Sequence, residues 1–290
     1  MMKYLYALRC DLNKTVVNIG FAGAVLLTVV LCFTAPVYYD NSLDKTYSVL
    51  EALFDLDRSI IESKPDFASV KIISAGMSGY ITMFLPITVA FQFMVSFCAE
   101  RNSGLIRIAV ARTGEIRYCL SKFTASFLSG GLAAALGLIL FGIIVLLSFP
   151  SAESYKLTEE QLSELIPHSP AVTVLLSIAA AFVYGALTTL PAFFLASFCR
   201  DPYIITCVPF LLCYIWKTVL EKLAANAMES GSFELMEKYY AFYPEAVTRV
   251  IIDSDHTKSI NVTLFFNAGL LVLTAAGAVC IFTHRQDKGR

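Results

Sequence analysis

The sequence predicts an all-α integral membrane protein of six transmembrane helices, and three observations carry that prediction. Apolar stretches of about 20 residues or more recur along the whole chain. Only 16% of its 290 residues are charged and its mean hydropathy is +0.67, whereas soluble domains carry nearer ~25% charge. Lys and Arg, finally, are segregated onto alternate connecting segments. The chain reads as one membrane domain over residues 1–290, with an N-terminal interfacial helix, a cytoplasmic helical segment and short outer helices.

The expected spans are Thr15–Val37, Ile72–Cys98, Phe123–Phe149, Ala171–Phe198, Tyr203 to about Leu220, and Ile260–Thr283. At a rise of ~1.5 Å per residue each crosses a hydrocarbon layer of ~30 Å, the fifth only if it continues past Trp216. Pro86, Pro191 and Pro209 fall inside spans and predict local kinks, which a bundle tolerates because neighbouring helices satisfy freed carbonyls. No strand-period alternation competes. The first span is too long and too late for a signal peptide, and no small-residue cleavage site follows it.

Charge orients the spans. Segments sharing a side with the N-terminus hold twelve basic and five acidic residues, against ten basic and eighteen acidic on the other side. Basic residues near span ends stay in the cytoplasm, so both termini are expected there, in the cell membrane. All eight cysteines (Cys10, Cys32, Cys98, Cys119, Cys199, Cys207, Cys213 and Cys280) fall in spans or cytoplasmic segments, which argues against a disulfide framework. No CxxC pair or Cys/His spacing suggests zinc, and His168, His256 and His284 read as surface residues.

Two cytoplasmic segments are informative. Met1, Leu5, Leu8 and Leu12 recur at helical spacing, with Lys3, Asp11 and Lys14 on other faces, which predicts an amphipathic interfacial helix over Met1–Lys14. The segment from Glu100 to Lys122 is too polar to insert and too long for a tight turn. It holds a short helical run (Leu105, Ile106, Ala109, Val110) that breaks at Thr113-Gly114. From charge alone, a solvated basic loop anchoring two spans is favoured over a docking element.

Six spans, an interfacial N-terminal helix and AERNSGLIRIAVARTGEIRYCLSK between spans two and three resemble the type-2 permease subunit of ATP-binding cassette (ABC) exporters. In that family an acidic residue ends the second span, a Gly follows, and a stretch from a basic residue to Lys opens the third. Those roles map onto Glu100, Gly104, Arg117 and Lys122, while Thr113-Gly114-Glu115 stands where many members have a Pro before the basic residue. The resemblance implies that this loop forms a coupling helix in a groove of a cytoplasmic ABC ATPase. Glu100, Arg107 and Arg112 would then pair with its charges, and Leu105, Ile106 and Val110 would pack into the groove. ATP and Mg would bind that partner and not this chain, which has no GxxxxGK[ST] phosphate loop. A second permease chain, identical or different, and membrane lipid complete the expected partners. Nucleic acid is not among them, and the chain is expected to be a transport subunit and not an enzyme.

In the spans, Gln92, Thr188, Thr189 and Asn267 are candidate pathway residues, because polar groups in a span tend to face the bundle interior. Interhelical hydrogen bonding explains each one, taken singly, better. Beyond span five, Ser230-Gly231 predicts a break, Ser232 a cap for a helix through Phe242, and Pro244 the first turn of a helix over Glu245–Ile252. This pair resembles the two outer helices that dip into the membrane in the same family, and an interfacial cap is the alternative. In the first outer loop Leu43, Tyr47, Leu50, Phe54 and Ile61 predict an amphipathic helix. In the second, Thr158–Gln161 forms a capping box, Leu157 and Leu162 a staple, and Pro167 a stop.

Other signals are discounted. Leu128-Ser-Gly-Gly131 is similar to the signature of ABC ATPases but lies within span three, where small residues let helices approach. Glu159-Glu160 reads as part of a cap and not as a protease pair, and Asn261-Val-Thr263 sits at a span start, an unsuitable place for glycosylation. The competing functional class is a polytopic sensor or scaffold without an ATPase. A membrane enzyme would need converging acid, base or metal groups, and the spans offer no such set.

Overall fold

The computed structural model describes residues 2–41, 44–155, 166, 168–199, 201–252 and 257–284. It opens with helix α1 (Met2–Val16) and then α2 (Ile19–Cys32), which meet at a bend of 61°. Asn18 makes the corner: its extended backbone ends α1, and its side chain accepts a 3.3 Å hydrogen bond from the Gly20 amide to cap α2. The expected single span Thr15–Val37 is therefore corrected. Helix α2 has 14 residues, about 21 Å at the usual rise, and reaches membrane thickness only together with its bent neighbour.

After α2 the chain forms an antiparallel hairpin, β1 (Pro36–Asp40) with β2 (Lys45–Ser48), in which Tyr38 pairs with Tyr47 and Tyr39 with Thr46. The reading that no strand pattern competes is corrected here. Aromatic and β-branched residues favour an extended ladder, and the amphipathic helix expected across this loop is confined to two short pieces. These are α3 (Val49–Phe54) and α4 (Arg58–Ser63). Ser48 and Glu51 form a capping box at the start of α3, each side chain bonding the other's backbone amide. Leu43 lies outside the described residues, as do the predicted Thr158–Gln161 box, its staple and Pro167.

The expected second span is also divided. Helix α5 (Ser69–Ala75) stops at Gly76, and the turn at residues 76–80 precedes α6 (Ile81–Asn102). A Cβ on Gly76 would stand 2.8 Å from Phe141 Cε1, so this corner is packed too closely for a side chain. Next come α7 (Leu105–Thr113) and α8 (Glu115–Ser148), then α9 (Pro170–Thr188) and α10 (Leu190–Ala196). Pro191 sits at the start of α10, where its missing N–H is tolerated, whereas Pro86 and Pro209 lie inside uninterrupted helices. Helix α11 (Pro202–Glu229) runs well beyond Trp216 and Leu220 and so has the length its span needed. The predicted outer pair follows as α12 (Phe233–Ala241) and α13 (Ala246–Ile252), before α14 (Thr257–His284). Ser232 precedes α12 without a side-chain capping bond. The break at Ser230-Gly231 is closed by backbone bonds, Ser232 N–H donating to Ala227 at 2.9 Å.

Among the described residues five helical segments are long and apolar enough to cross a membrane, or six if the bent α1–α2 pair is one span. They are Ile81–Asn102, Glu115–Tyr155, Pro170–Ala196, Pro202–Glu229 and Ile260–Thr283. Helices α8 and α9 form the tightest pair. A Cβ on Gly130 would fall 2.3 Å from Thr189 Cγ2 and 2.9 Å from the Gly185 carbonyl, so the two backbones touch where both helices carry glycine. This is the close approach that the small residues of span three predict. The main core lies between α2, α5, α6, α8 and α9, around Ile72, Leu85, Leu138, Phe141 and Tyr184, and Val247 of α13 is inserted into it. A second cluster, around Phe93, Phe97, Phe193 and Ile205, binds α6 to α10 and α11.

Candidate functional site

The end of the bundle that carries α1 gathers the residues singled out between spans two and three. Helix α7 has nine residues and is bounded by Gly104 (φ 74°) and Gly114 (φ 86°). Both need a positive φ that other residues adopt at a cost, so the chain leaves α6, makes one isolated helix and enters α8 through two glycine corners. Its two faces differ. Ile106 is buried in a cluster that also holds Tyr118 and Cys119 of α8, with Leu8, Leu12, Ala109 and Val110 packed against it. Leu105 and Ile108 are 55% and 56% exposed, and Arg107, Arg112, Ile116 and Arg117 are exposed beside them.

Ile106 must therefore be reassigned. Its side chain is used inside this chain and is unavailable to a partner's groove, as is most of Val110, while Ile108, absent from the sequence-based set, is outward. The helix turns about 100° per residue, so 105 and 108 share a face and 106 and 110 share the opposite one. The sequence run Leu105-Ile106-Arg107-Ile108 holds three candidate apolar residues, and only packing against α1 decides which one is internal.

Beneath α7 lies a charge network. Lys122 Nζ is 2.6 Å from Glu100 Oε2 and 2.8 Å from Asp11 Oδ1, and Lys14 Nζ is 3.1 Å from Glu100 Oε1. Ser121 donates to Asp11 Oδ2 at 2.7 Å. Lys122 also lies 5.5 Å from the Tyr118 ring centroid, and that ring stacks on Phe282 of α14 at 5.7 Å. Asp11, Glu100 and Lys122 are nearly withdrawn from solvent, and charges in such a place persist only when paired and hydrogen-bonded. By its spacing Asp11 lies off the apolar stripe of the amphipathic helix. It nevertheless points inward, because Lys122 needs a second carboxylate. Glu100 likewise faces its own chain and is already paired with two lysines.

One further link ties this end together. Arg101 donates through Nη1 to the Cys199 carbonyl at 2.9 Å and also to the Ala196 carbonyl. The Ala196 carbonyl is among the terminal groups at the C-terminal end of α10, where a cation is favoured by the helix dipole. Helix α7 thus packs on α1, α6 and α8, the ion pairs join those three helices to one another beside it, and Arg101 ties the end of α6 to the end of α10. No family model matches the chain, and no curated protein matches it in sequence.

Three of the four candidate pathway residues bond within their own helices. Thr188 and Thr189 donate to carbonyls one turn back, Gly185 at 3.0 Å and Ala186 at 2.8 Å, and Asn267 donates to Thr263 at 2.8 Å. Each is satisfied by its own helix. Gln92 is different. It is buried against the α2 backbone near Gly20, and among the described residues neither amide atom has a partner.

Proposed function

We propose that this chain is a multi-pass permease subunit of an ATP-driven ABC exporter, working with separate cytoplasmic ATPase subunits that bind ATP and Mg. The observation that carries the reading is helix α7: a short rigid element, set off by two glycine corners, with an apolar-basic outer face and an inner face fixed to the bundle. Leu105 and Ile108 would fill a groove of the ATPase, and Arg107, Arg112 and Arg117 would meet acidic residues around it. ATP binding can switch access only if the ATPase binds two permease conformations with different free energies. The Lys122 network suits that role, because displacing α7 would disturb α1, α6 and α8 together.

Both termini are assigned to the cytoplasm in this reading, on the positive-inside rule. The second permease chain would cover part of the lipid-facing surface. In α14 only 6% of the span window is buried, against 67% in α6, so this side of the bundle faces lipid or a second copy. The cargo class is a peptide, a lipid-linked molecule or a hydrophobic small molecule. The test is affinity purification of the full chain from its native membrane. An ATPase retained in a complex of two permease and two ATPase chains supports the reading, and transport by a chain without a nucleotide-binding partner overturns it.

A further inference from the structure

At the opposite end of the bundle a cavity of about 840 Å³ lies between α5, the start of α6, α11 and the α12–α13 pair. One wall is apolar, formed by Phe233, Met236 and Tyr240 of α12. The other holds three polar groups from three separate helices or their junctions. Glu245, just before α13, places Oε1 2.8 Å from Lys217 Nζ of α11. Lys217 also donates to Thr82 Oγ1 of α6 at 3.2 Å. Glu245 is only 6% exposed, and its second oxygen, Oε2, has no hydrogen-bond partner among the described residues.

An ionised carboxylate oxygen buried without a donor costs free energy that a bound donor would recover. The chemistry of the missing donor is constrained. An anionic ligand would meet the carboxylate directly, and the nearest cation, Lys217, is already engaged by Glu245 and Thr82. Lys71 at the rim is held by Asp66 at 2.5 Å, and the exposed Arg249 and Glu237 offset one another in formal charge. A purely apolar ligand would leave Oε2 as it is. We propose that this cavity binds a primary ammonium group carried on an apolar body, with Glu245 Oε2 accepting from the ammonium and the α12 wall covering the body. Such a group is found on an amphipathic amine or on an aminolipid headgroup.

The proposal concerns one chain and no nucleotide, so it stands or falls separately from the exporter reading. The probe is octylamine, titrated near neutral pH against the purified full chain while the thermal unfolding midpoint is followed. Octyltrimethylammonium, which has the charge but no N–H, and octanoate are the controls. The expected result is a saturable rise with octylamine alone. Glu245→Gln should weaken that response about ten-fold or more, the loss expected for a charge-assisted hydrogen bond. Lys217→Met should strengthen it, because the carboxylate loses its resident cation, and this arm remains informative if Glu245→Gln fails to fold. Equal responses to octylamine and octyltrimethylammonium, an unchanged response in Glu245→Gln, or a weakened one in Lys217→Met would each overturn the proposal. Nanodiscs of phosphatidylcholine with and without phosphatidylethanolamine distinguish the source: a Glu245-dependent rise on adding the aminolipid assigns the site to a headgroup, and its absence beside a positive octylamine result assigns it to a soluble amine.

Discussion

Lys122 of α8 lies 2.6 Å from Glu100 at the end of α6, and the same ammonium reaches Asp11 of α1 at 2.8 Å. One lysine therefore holds three helices at the point where α7 leaves the bundle. Replacing it by Met leaves two carboxylates nearly buried with only the exposed Lys14 to balance them, and breaking such a pair from one side costs about 3–5 kcal/mol. Thermal unfolding of purified Lys122→Met should fall well below that of Lys14→Met, whose partner keeps Lys122. Equal effects would show that the network is wet and weakly coupled.

Helix α7 should separate into two kinds of position. Ile106→Ala removes buried contact inside the chain and should lower stability by about 2–4 kcal/mol. Leu105→Ala with Ile108→Ala should leave the unfolding midpoint nearly unchanged and, if the proposed ATPase partner docks here, reduce its retention on purification. Arg107→Glu with Arg112→Glu should do the same without loss of insertion, since Arg101, Arg117 and Lys122 keep the segment basic. Normal retention and normal substrate-stimulated ATP hydrolysis in all outward variants would leave α7 as a solvated anchor.

The α8–α9 crossing should be intolerant of side chains. Gly130→Ala places a methyl 2.3 Å from Thr189 Cγ2 and 2.9 Å from the Gly185 carbonyl, so the helices must part. Overpacking of this kind costs about 1–3 kcal/mol. Gly269→Ala in α14 is the control, with nothing within 4 Å of the added atom, and should be neutral or slightly stabilising because Ala favours helix. Similar unfolding midpoints for the two variants would argue against the crossing.

Acid should loosen the hairpin end before the bundle. The backbone amide of Ser48 and then its hydroxyl hold the Glu51 carboxyl below its ordinary value of 4.5. A group depressed in the folded state contributes stability above the unfolded value and loses it as pH falls through the folded one. Hydrogen exchange at the α3 amides should accelerate as pH drops below 4.5, after correction for intrinsic exchange. Glu51→Gln, which removes the titrating carboxyl, should raise exchange at neutral pH and flatten that profile, and an unaltered profile in Glu51→Gln would refute the link.

Sidedness can be measured directly. In a background without the native cysteines, a thiol introduced at Ser103 should react only from the cytoplasm and one at Ser63 only from outside. A reversal would remove the charge-based orientation.

Much of this architecture is legible in local sequence. Apolar length marks the long helices, Thr113-Gly114 ends α7 where expected, and Ser230-Gly231 separates α11 from α12. The missed corners also carry local signals. Asn18 is a helix cap inside an apolar run, Ser48-Val-Leu-Glu51 is a capping box, and the Tyr-rich Pro36–Asp40 segment has strand composition. They were obscured because hydropathy averaged over a span-length window does not register a single capping side chain or a glycine corner.

The sequence by itself determined a helical, apolar chain with a basic segment between Glu100 and Lys122, because solvent preference and backbone propensity depend on residue type and near neighbours. Only the tertiary structure decided that Ile106 faces in while Ile108 faces out, that Asp11 is a buried counter-ion, and that Glu245 meets Lys217 beside an open cavity. Those outcomes depend on contacts between residues far apart in the chain: Asp11 with Lys122, Lys217 with Thr82, Gly130 with Gly185. Such a contact is set by how whole helices pack and by which buried charge requires a partner, and neither is encoded in the spacing of one segment.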